Sequence, residues 1–428
     1  MDKQTLESRN QYCHPTDAKV SRFFGKTNYG AVQRVRRESD TVLWHNSIAY
    51  QELIAFISRT STAIQGVRQF YHGDYPISPT MQRLCNIFDR LTQMLTSQQG
   101  ASTDKPDHYS EVKRPSTVES YRNWSRQMLR GIFSMVEQAV PSKMCEHVGE
   151  LGQYLAGSFG NQSRLEYGTG HELSFLFFLC ALFRAKVLLP SDEPAAVLML
   201  FNRYLNCARR LQMQFGLKPA GFQGAYSLDD YQFIPYLWGT AQLSYDPPFK
   251  PKQLLDPEVL AQWRNHYLLA GCVAFVADTK QGTFATHSCQ LWSIVTLSSW
   301  TQVYHGLHNM YIKEVISQFH MLRHVYFGQL MSFDPAPPAS QLVRPHLGYL
   351  SQQRRDYLKK RLESQVYQSQ EEVQEAQEKE PERSKYKISR IALTTDLVSS
   401  NISGTSISLR YLGKKRYIRP ALRKNNSS

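Results

Sequence analysis

The residues with the most chemistry to offer in this chain are gathered in the stretch Arg164-Leu-Glu-Tyr167-Gly168-Thr169-Gly170-His171-Glu172. It holds a guanidinium, a hydroxyl, an imidazole and two carboxylates around two glycines spaced one residue apart. Glycine lets a backbone approach a ligand closely or adopt φ > 0. An apolar run, Leu173 to Leu189, follows at once. A polar, glycine-bent loop leading onto a buried helix suits an anion, because the first N–H groups of a helix lack internal partners. The same residues suit an ordinary tight turn with a helix cap. The spacing is neither GxxxxGK[ST] nor GxGxxG, so neither a P-loop nor a dinucleotide fingerprint is present.

A second loop, Pro219-Ala-Gly-Phe-Gln-Gly224-Ala-Tyr226-Ser227-Leu-Asp229-Asp230, ends in paired carboxylates. Two readings stand. Ser227 and Asp230 could form a capping box for a following helix, or the acids beside glycine carbonyls could hold a hard cation such as Mg²⁺. A third polar loop, Thr283-Phe-Ala-Thr286-His287-Ser288-Cys289, precedes Trp292. A helix expected over 303–327 places His320, Met321, Arg323 and His324 within one turn, where a His/Arg/His set could bind phosphate. No Ser-His-Asp or Cys-His arrangement stands out.

The elements that must position these loops read as helices. Apolar residues recur at helical spacing over 44–58, 79–97 and 117–139, and helices are also expected over 141–158, 173–189, from Ser191 through Leu211, and over 266–277. Strand patterns are few, so the expected fold is all-α. The chain has 428 residues and 42% apolar content, enough for a large core. Its formal charge of +14 sits mainly in the tails. Residues 1–40 carry 8 basic and 5 acidic side chains, and 352–428 carry 17 and 9, which leaves 41–351 only +3. The body therefore offers little electrostatic reason to bind nucleic acid. The 173–189 run is short for a bilayer and is broken by Arg184 and Lys186, so no membrane span is expected. The seven cysteines are scattered, with no CxxC pair, which fits reduced thiols in a cytoplasmic or nuclear protein. The expected layout is a flexible basic arm over 1–40, a helical body over 41–335, and a low-complexity charged tail over 336–428 that contains Lys414-Lys415-Arg416.

Several motifs in order resemble the phosphotyrosyl phosphatase activator family. They are Arg164…Tyr167-Gly-Thr-Gly-His-Glu172, Pro219-Ala-Gly…Gly224…Leu228-Asp229-Asp230, Pro235…Trp238-Gly, and Phe284-Ala…His287-Ser…Gln290-Leu-Trp292. The resemblance covers roughly residues 40–330. It implies a multi-helix domain of core, lid and linker subdomains around a deep groove that takes ATP and Mg²⁺. It also implies docking on the catalytic subunit of protein phosphatase 2A, alone or in its scaffold-bound core enzyme, helping that subunit acquire its metals. Peptidyl-prolyl cis-trans isomerase activity on a proline-containing segment is implied as well; the alternative is a phosphatase-binding scaffold without it. Carried over by motif, Arg164, Thr169, Gly170, His320, Met321, Arg323 and His324 match nucleotide contacts. Gly224 and Asp230 match the magnesium position, and Tyr226, Asp229 and His287 are the groove candidates for isomerisation. The reaction needs no nucleophile, since a groove that desolvates and twists the imide lowers a barrier of about 20 kcal/mol. The chain departs from the family pattern at Ala225-Tyr226-Ser227, where Val-Trp-Gly is usual, and at Thr286-His287-Ser288-Cys289, where Glu-His-Ser-Asn is usual. Those departures imply a divergent member with weaker isomerase turnover.

Overall fold

In the computed structural model the residues described are 30–69, 75–100, 117–221, 227–338, 345–350 and 355–356. Cα packing divides the chain into one compact unit ending at Leu358 and a second over Lys359–Ser428. The second unit, with the tail features expected there, lies outside the described residues, as do residues 1–29.

Helices dominate, as the apolar periods require. α1 (Asp40–His45) and α2 (Ile48–Ala63) share the expected 44–58 segment, broken where Ser47 caps α2 by accepting the Tyr50 N–H. α3 (Pro79–Gly100) packs on α4 (Thr117–Ala139), α4 on α5 (Val148–Ala156), and α5 on α6 (Thr169–Arg184). In α4 the buried residues Tyr121, Trp124, Met128, Ile132, Met135 and Val136 form one stripe three or four residues apart. The expected helix over 141–158 is instead a 3₁₀ turn, Ser142–His147, followed by α5. A helical run begins at Glu193, passes through a π-helical segment, Ala196–Phe201, and continues as α7 (Asn202–Phe215) to a left-handed Gly216.

The second half holds α8 (Ile234–Gln242), α9 (Pro257–Trp263), α10 (Leu268–Thr279), α11 (Phe284–His287), α12 (Cys289–Ile294) and α13 (Trp300–Tyr311). α8 is buried on every side and packs against both α10 and α13. The expected 303–327 helix does not run through. α13 passes into a π-helical turn, Ile312–Ile316, and the chain restarts as the short α14 (Phe319–Leu322).

The core is aromatic. Phe175 of α6 stacks on Tyr204 of α7 with centroids 3.8 Å apart and planes 6° from parallel. Trp44, Trp124 and Trp238 are fully buried, and the indole N–H of Trp238 donates to Thr60 Oγ1 at 3.1 Å. Such rings supply most of the apolar area that holds helices together, provided their polar edges are satisfied.

Two minimal sheets tie distant parts of the chain. β1 (Val32–Gln33) pairs antiparallel with β4 (Tyr326–Phe327), Val32 opposite Phe327 and Gln33 opposite Tyr326. β2 (Glu166–Tyr167) pairs parallel with β3 (Lys218–Pro219). The first pairing moves the body boundary. The expected arm 1–40 joins the fold from Gly30 onward, because Ala31 and Val35 are buried and Asp40 Oδ2 accepts the N–H groups of Arg36 and Arg37. The other boundary also moves beyond 335. Ala336 N–H donates to the Asn46 carbonyl, buried Gln65 answers Gly348 N–H and the His346 carbonyl, and Leu350 is buried.

Candidate functional site

The bend before α6 is made by a residue other than its glycines. Leu165 takes φ 56°, the left-handed region, while the Ser163 and Arg164 N–H groups donate to Asn161 Oδ1. Gly168 is extended at φ −174°, a conformation open to any residue. Its lack of a side chain serves close approach, since a Cβ there would lie 2.6 Å from the Ala220 carbonyl oxygen beside β3. At Gly170 a Cβ would meet nothing nearer than 3.4 Å, so that glycine is not required by space. His171 Nδ1 accepts the Gly168 N–H at 3.3 Å and its ring stacks on Tyr167. Burial, with His324 adding repulsion, lowers the His171 pKa to about 4, so it is a neutral capping group.

The start of α6 opens into a cavity of about 680 Å³. Of the candidate nucleotide contacts, Arg164, Gly170, His320, Met321, Arg323 and His324 all line it. The two strand pairings supply its walls: Gln33 and Tyr326 from β1–β4, Glu166 and Ala220 from the β2–β3 side. Gly221, at φ 73°, passes 3.6 Å from His320 at its would-be Cβ, so the left-handed glycine lies opposite α14. Thr169 is the exception among the candidates. It does not line the cavity; its hydroxyl donates to Met321 Sδ at 3.3 Å and pins α14 to α6.

Charge in the cavity favours an anion. Arg323 Nε donates to His324 Nε2 at 2.9 Å. Burial, then Arg323 and Arg164, lower the His324 pKa, with Glu166 opposing; burial and Arg323 lower that of His320. Among the described residues the one lining carboxylate is Glu166, which meets Arg164 at 3.3 Å, leaving Arg323 in excess. Guanidinium groups, imidazoles that can take up a proton, and the N-terminus of a sixteen-residue helix form a donor set that fits a polyphosphate. The volume is also within the range of ligand pockets.

The second loop does not form the expected cap. No helix starts at Leu228, so the Ser227/Asp230 capping box does not form; α8 begins at Ile234. Asp229 Oδ1 accepts the N–H groups of Tyr231 and Gln232, and its Oδ2 the Tyr236 hydroxyl, so the carboxylate is engaged within the fold. The cap of α8 comes from far away: buried Glu172 accepts the N–H groups of Phe233 and Ile234 at 2.9 and 3.1 Å. Asp230 pairs with Lys280 at 2.8 Å and does not line the cavity. Gly224 and Tyr226 lie outside the described residues. Among the described residues no group of three or more His, Cys, Asp or Glu side chains is arranged to hold a metal, so a magnesium ion there would depend on phosphate oxygens and water for its other ligands. His287 sits on α11 with Nδ1 2.9 Å from Ser288 Oγ, also away from the cavity lining. The geometry thus assembles the candidate nucleotide residues other than Thr169, and Asp229, Asp230 and His287 do not line that cavity. His171, Glu166, Gln33, Gly221 and Tyr326 also line the cavity, though the sequence assigned none of them a ligand contact.

An all-helical body carrying an oxyanion-ready cavity at a helix N-terminus, closed by a strand pairing between its two ends, is the class of protein this fold defines. The chain belongs to the family described as phosphotyrosyl phosphate activator (PTPA) protein, whose model matches residues 31–333. It is 39% identical over 319 residues to the serine/threonine-protein phosphatase 2A activator of Drosophila melanogaster, covering 74% of this chain and 77% of the other. It is 32% identical over 305 residues to the serine/threonine-protein phosphatase 2A activator 2 of Kluyveromyces lactis, covering 70% and 83%. The crystal structure of the PP2A phosphatase activator Ypa1 PTPA1 matches with a TM-score of 0.62 at 27% identity, covering 72% of this chain and 96% of that one. Among the described residues no helix is long and apolar enough to cross a membrane.

Proposed function

We propose that this chain is an activator of serine/threonine protein phosphatase 2A that binds the catalytic subunit with Mg-ATP seated in the cavity at the start of α6. The observation that carries the nucleotide part is the convergence of Arg164, Gly170, His320, Met321, Arg323 and His324, from segments 150 residues apart, on one cavity. Arg323 and Arg164 hold phosphate oxygens, and the free N–H groups of the α6 start face the same negative charge. Neutral His320 and His324 gain basicity when the phosphates arrive, because a nearby anion favours the imidazolium. A magnesium ion bound with the nucleotide would draw on Asp230 only after that carboxylate gave up its bond to Lys280.

Isomerase activity on a proline-containing segment is the finer part of the reading. It is supported by the motif resemblance and rests on the loops around Tyr226 and His287. The changes at 225–227 and 286–289 favour weak turnover beside intact phosphatase binding. A phosphatase-binding scaffold with no isomerase activity is the second reading, and those same loop changes favour it.

Calorimetry tests the nucleotide reading. Arg323→Ala and Arg164→Ala should each remove a charge-assisted contact worth about 1.5–3 kcal/mol, weakening Mg-ATP by about ten- to hundredfold. Lys280→Met should leave nucleotide binding intact and tighten magnesium. Unchanged Mg-ATP affinity in both arginine variants would remove the nucleotide from this cavity.

A further inference from the structure

A second cavity, of about 570 Å³, lies away from the first, between α7 and the segment running from Arg264 into α10. Its wall carries three guanidinium groups, Arg209, Arg210 and Arg264, and the amides of Gln69, Asn202, Asn206 and Asn265. Leu205, Leu268 and Phe275 give it an apolar side, and among the described residues none that lines it is acidic. The two cavities share no residue.

Arg209 is the centre of this arrangement. Its plane lies over the Phe275 ring with Cζ 4.2 Å from the centroid, and one terminal nitrogen donates to Cys272 Sγ at 3.1 Å. Its Nε is buried with no partner, and one turn further along α7 both polar atoms of the buried Gln212 amide also lack one. Burial pushes the Cys272 thiol up to about 11 against the opposing pull of Arg209, so at neutral pH the sulfur is uncharged and does not balance the guanidinium. Asp229 acts on Arg209 through space, but its oxygens are taken by Tyr231, Gln232 and Tyr236. Asp278 pairs with Arg264 at 2.6 Å. Among the described residues neither Arg209 nor Arg210 forms an ion pair. Buried charges are ordinarily paired, and Arg209, which is half-buried, has no salt-bridge partner of its own among the described residues. Here the fork is held rigid by stacking on Phe275, which is how a guanidinium is preorganised for a bidentate oxyanion.

We propose that this cavity is a second ligand site, for a small phosphorylated molecule with a hydroxylated body. Arg209 and Arg210 take the phosphate, the Asn and Gln amides take the hydroxyls, and Leu205 and Leu268 carry the carbon frame. The site is independent of the activator reading and of the nucleotide cavity.

The test is calorimetric titration of the full chain with inorganic pyrophosphate, in an Arg323→Ala background that weakens the first cavity. The expected result is binding that weakens by about tenfold or more in Arg209→Lys, which keeps the charge but loses the fork. Asn206→Asp, at an exposed position on the cavity wall, leaves the core untouched and should weaken binding similarly by adding a negative charge. Two outcomes overturn the proposal: no pyrophosphate binding in the Arg323→Ala protein, or equal affinity in the folded Asn206→Asp protein.

Discussion

Glu172 shows how a residue in a ligand-like motif can serve the fold instead. Its Oε2 receives both first N–H groups of α8, and its Oε1 is buried without a partner. Burial pushes its pKa up to about 8 against the pull of those two donors, so the group is protonated in the folded protein at neutral pH. A carboxyl whose folded pKa lies above its unfolded value adds stability that is fully present below the unfolded pKa, near 4.5. That stability is lost as pH rises through about 8, by about 1.4 kcal/mol per pH unit at the steepest. Glu172→Gln keeps an uncharged acceptor at the cap, so the stability gap between wild type and this variant should shift steadily against wild type from pH 5 to pH 8.5. Chemical denaturation at several pH values reads this directly. A gap that does not change with pH would mean that Glu172 is ionised in the fold. The same scale explains what the motif hid. Arg164 and Gly170 line the cavity, whereas Thr169 faces Met321, and nothing in the local sequence distinguishes a hydroxyl turned to a ligand from one turned to a sulfur.

At the scale of elements, the cavity depends on two pairings of two residues each. Gly168 lets β2 lie against the chain leaving β3, and a methyl group there would press on the Ala220 carbonyl at 2.6 Å. Gly168→Ala should therefore cost about 1–3 kcal/mol and widen the cavity mouth, while Gly170→Ala, with ordinary contacts and no positive φ, should be neutral or stabilising by up to about 1 kcal/mol. Equal loss of melting temperature in the two variants would contradict this account. The helices were legible because apolar residues recur at helical spacing: 117–139 matches α4 residue for residue. The short strands were not, since Val32-Gln33 and Tyr326-Phe327 have meaning only once the chain's two ends meet. The 303–327 pattern continued through the π turn at Ile312–Ile316, because apolar periodicity persists where the backbone hydrogen bonds slip. That slip restarts the chain as α14, and α14 carries His320 and Met321 to the cavity, with Arg323 and His324 just beyond its end.

For the whole molecule, charge and packing separate a nearly neutral body from a basic end. The +14 formal charge lies largely beyond the family match, which spans residues 31–333. Packing nevertheless continues past that match, since Leu350 is buried and Gln65 holds the backbone of His346 and Gly348. Pro335, Pro337, Pro338 and Pro345 read in sequence as the end of the fold, and the bonds that carry it further come from the Asn46 carbonyl and a buried glutamine, Gln65, nearly three hundred residues away. A version for functional work should therefore end at Leu358, where the compact unit ends.

The central claim, that the α6 cavity joins nucleotide to phosphatase activation, is tested most directly by reconstitution. Metal-depleted catalytic subunit of protein phosphatase 2A is incubated with the chain, with and without Mg-ATP, and phosphate release from a phosphopeptide is followed. The account predicts activation by the wild-type protein that requires Mg-ATP, and its loss in a folded Arg164→Ala/Arg323→Ala double variant. Activation by the double variant equal to wild type, or no activation by wild type at saturating Mg-ATP, would contradict it.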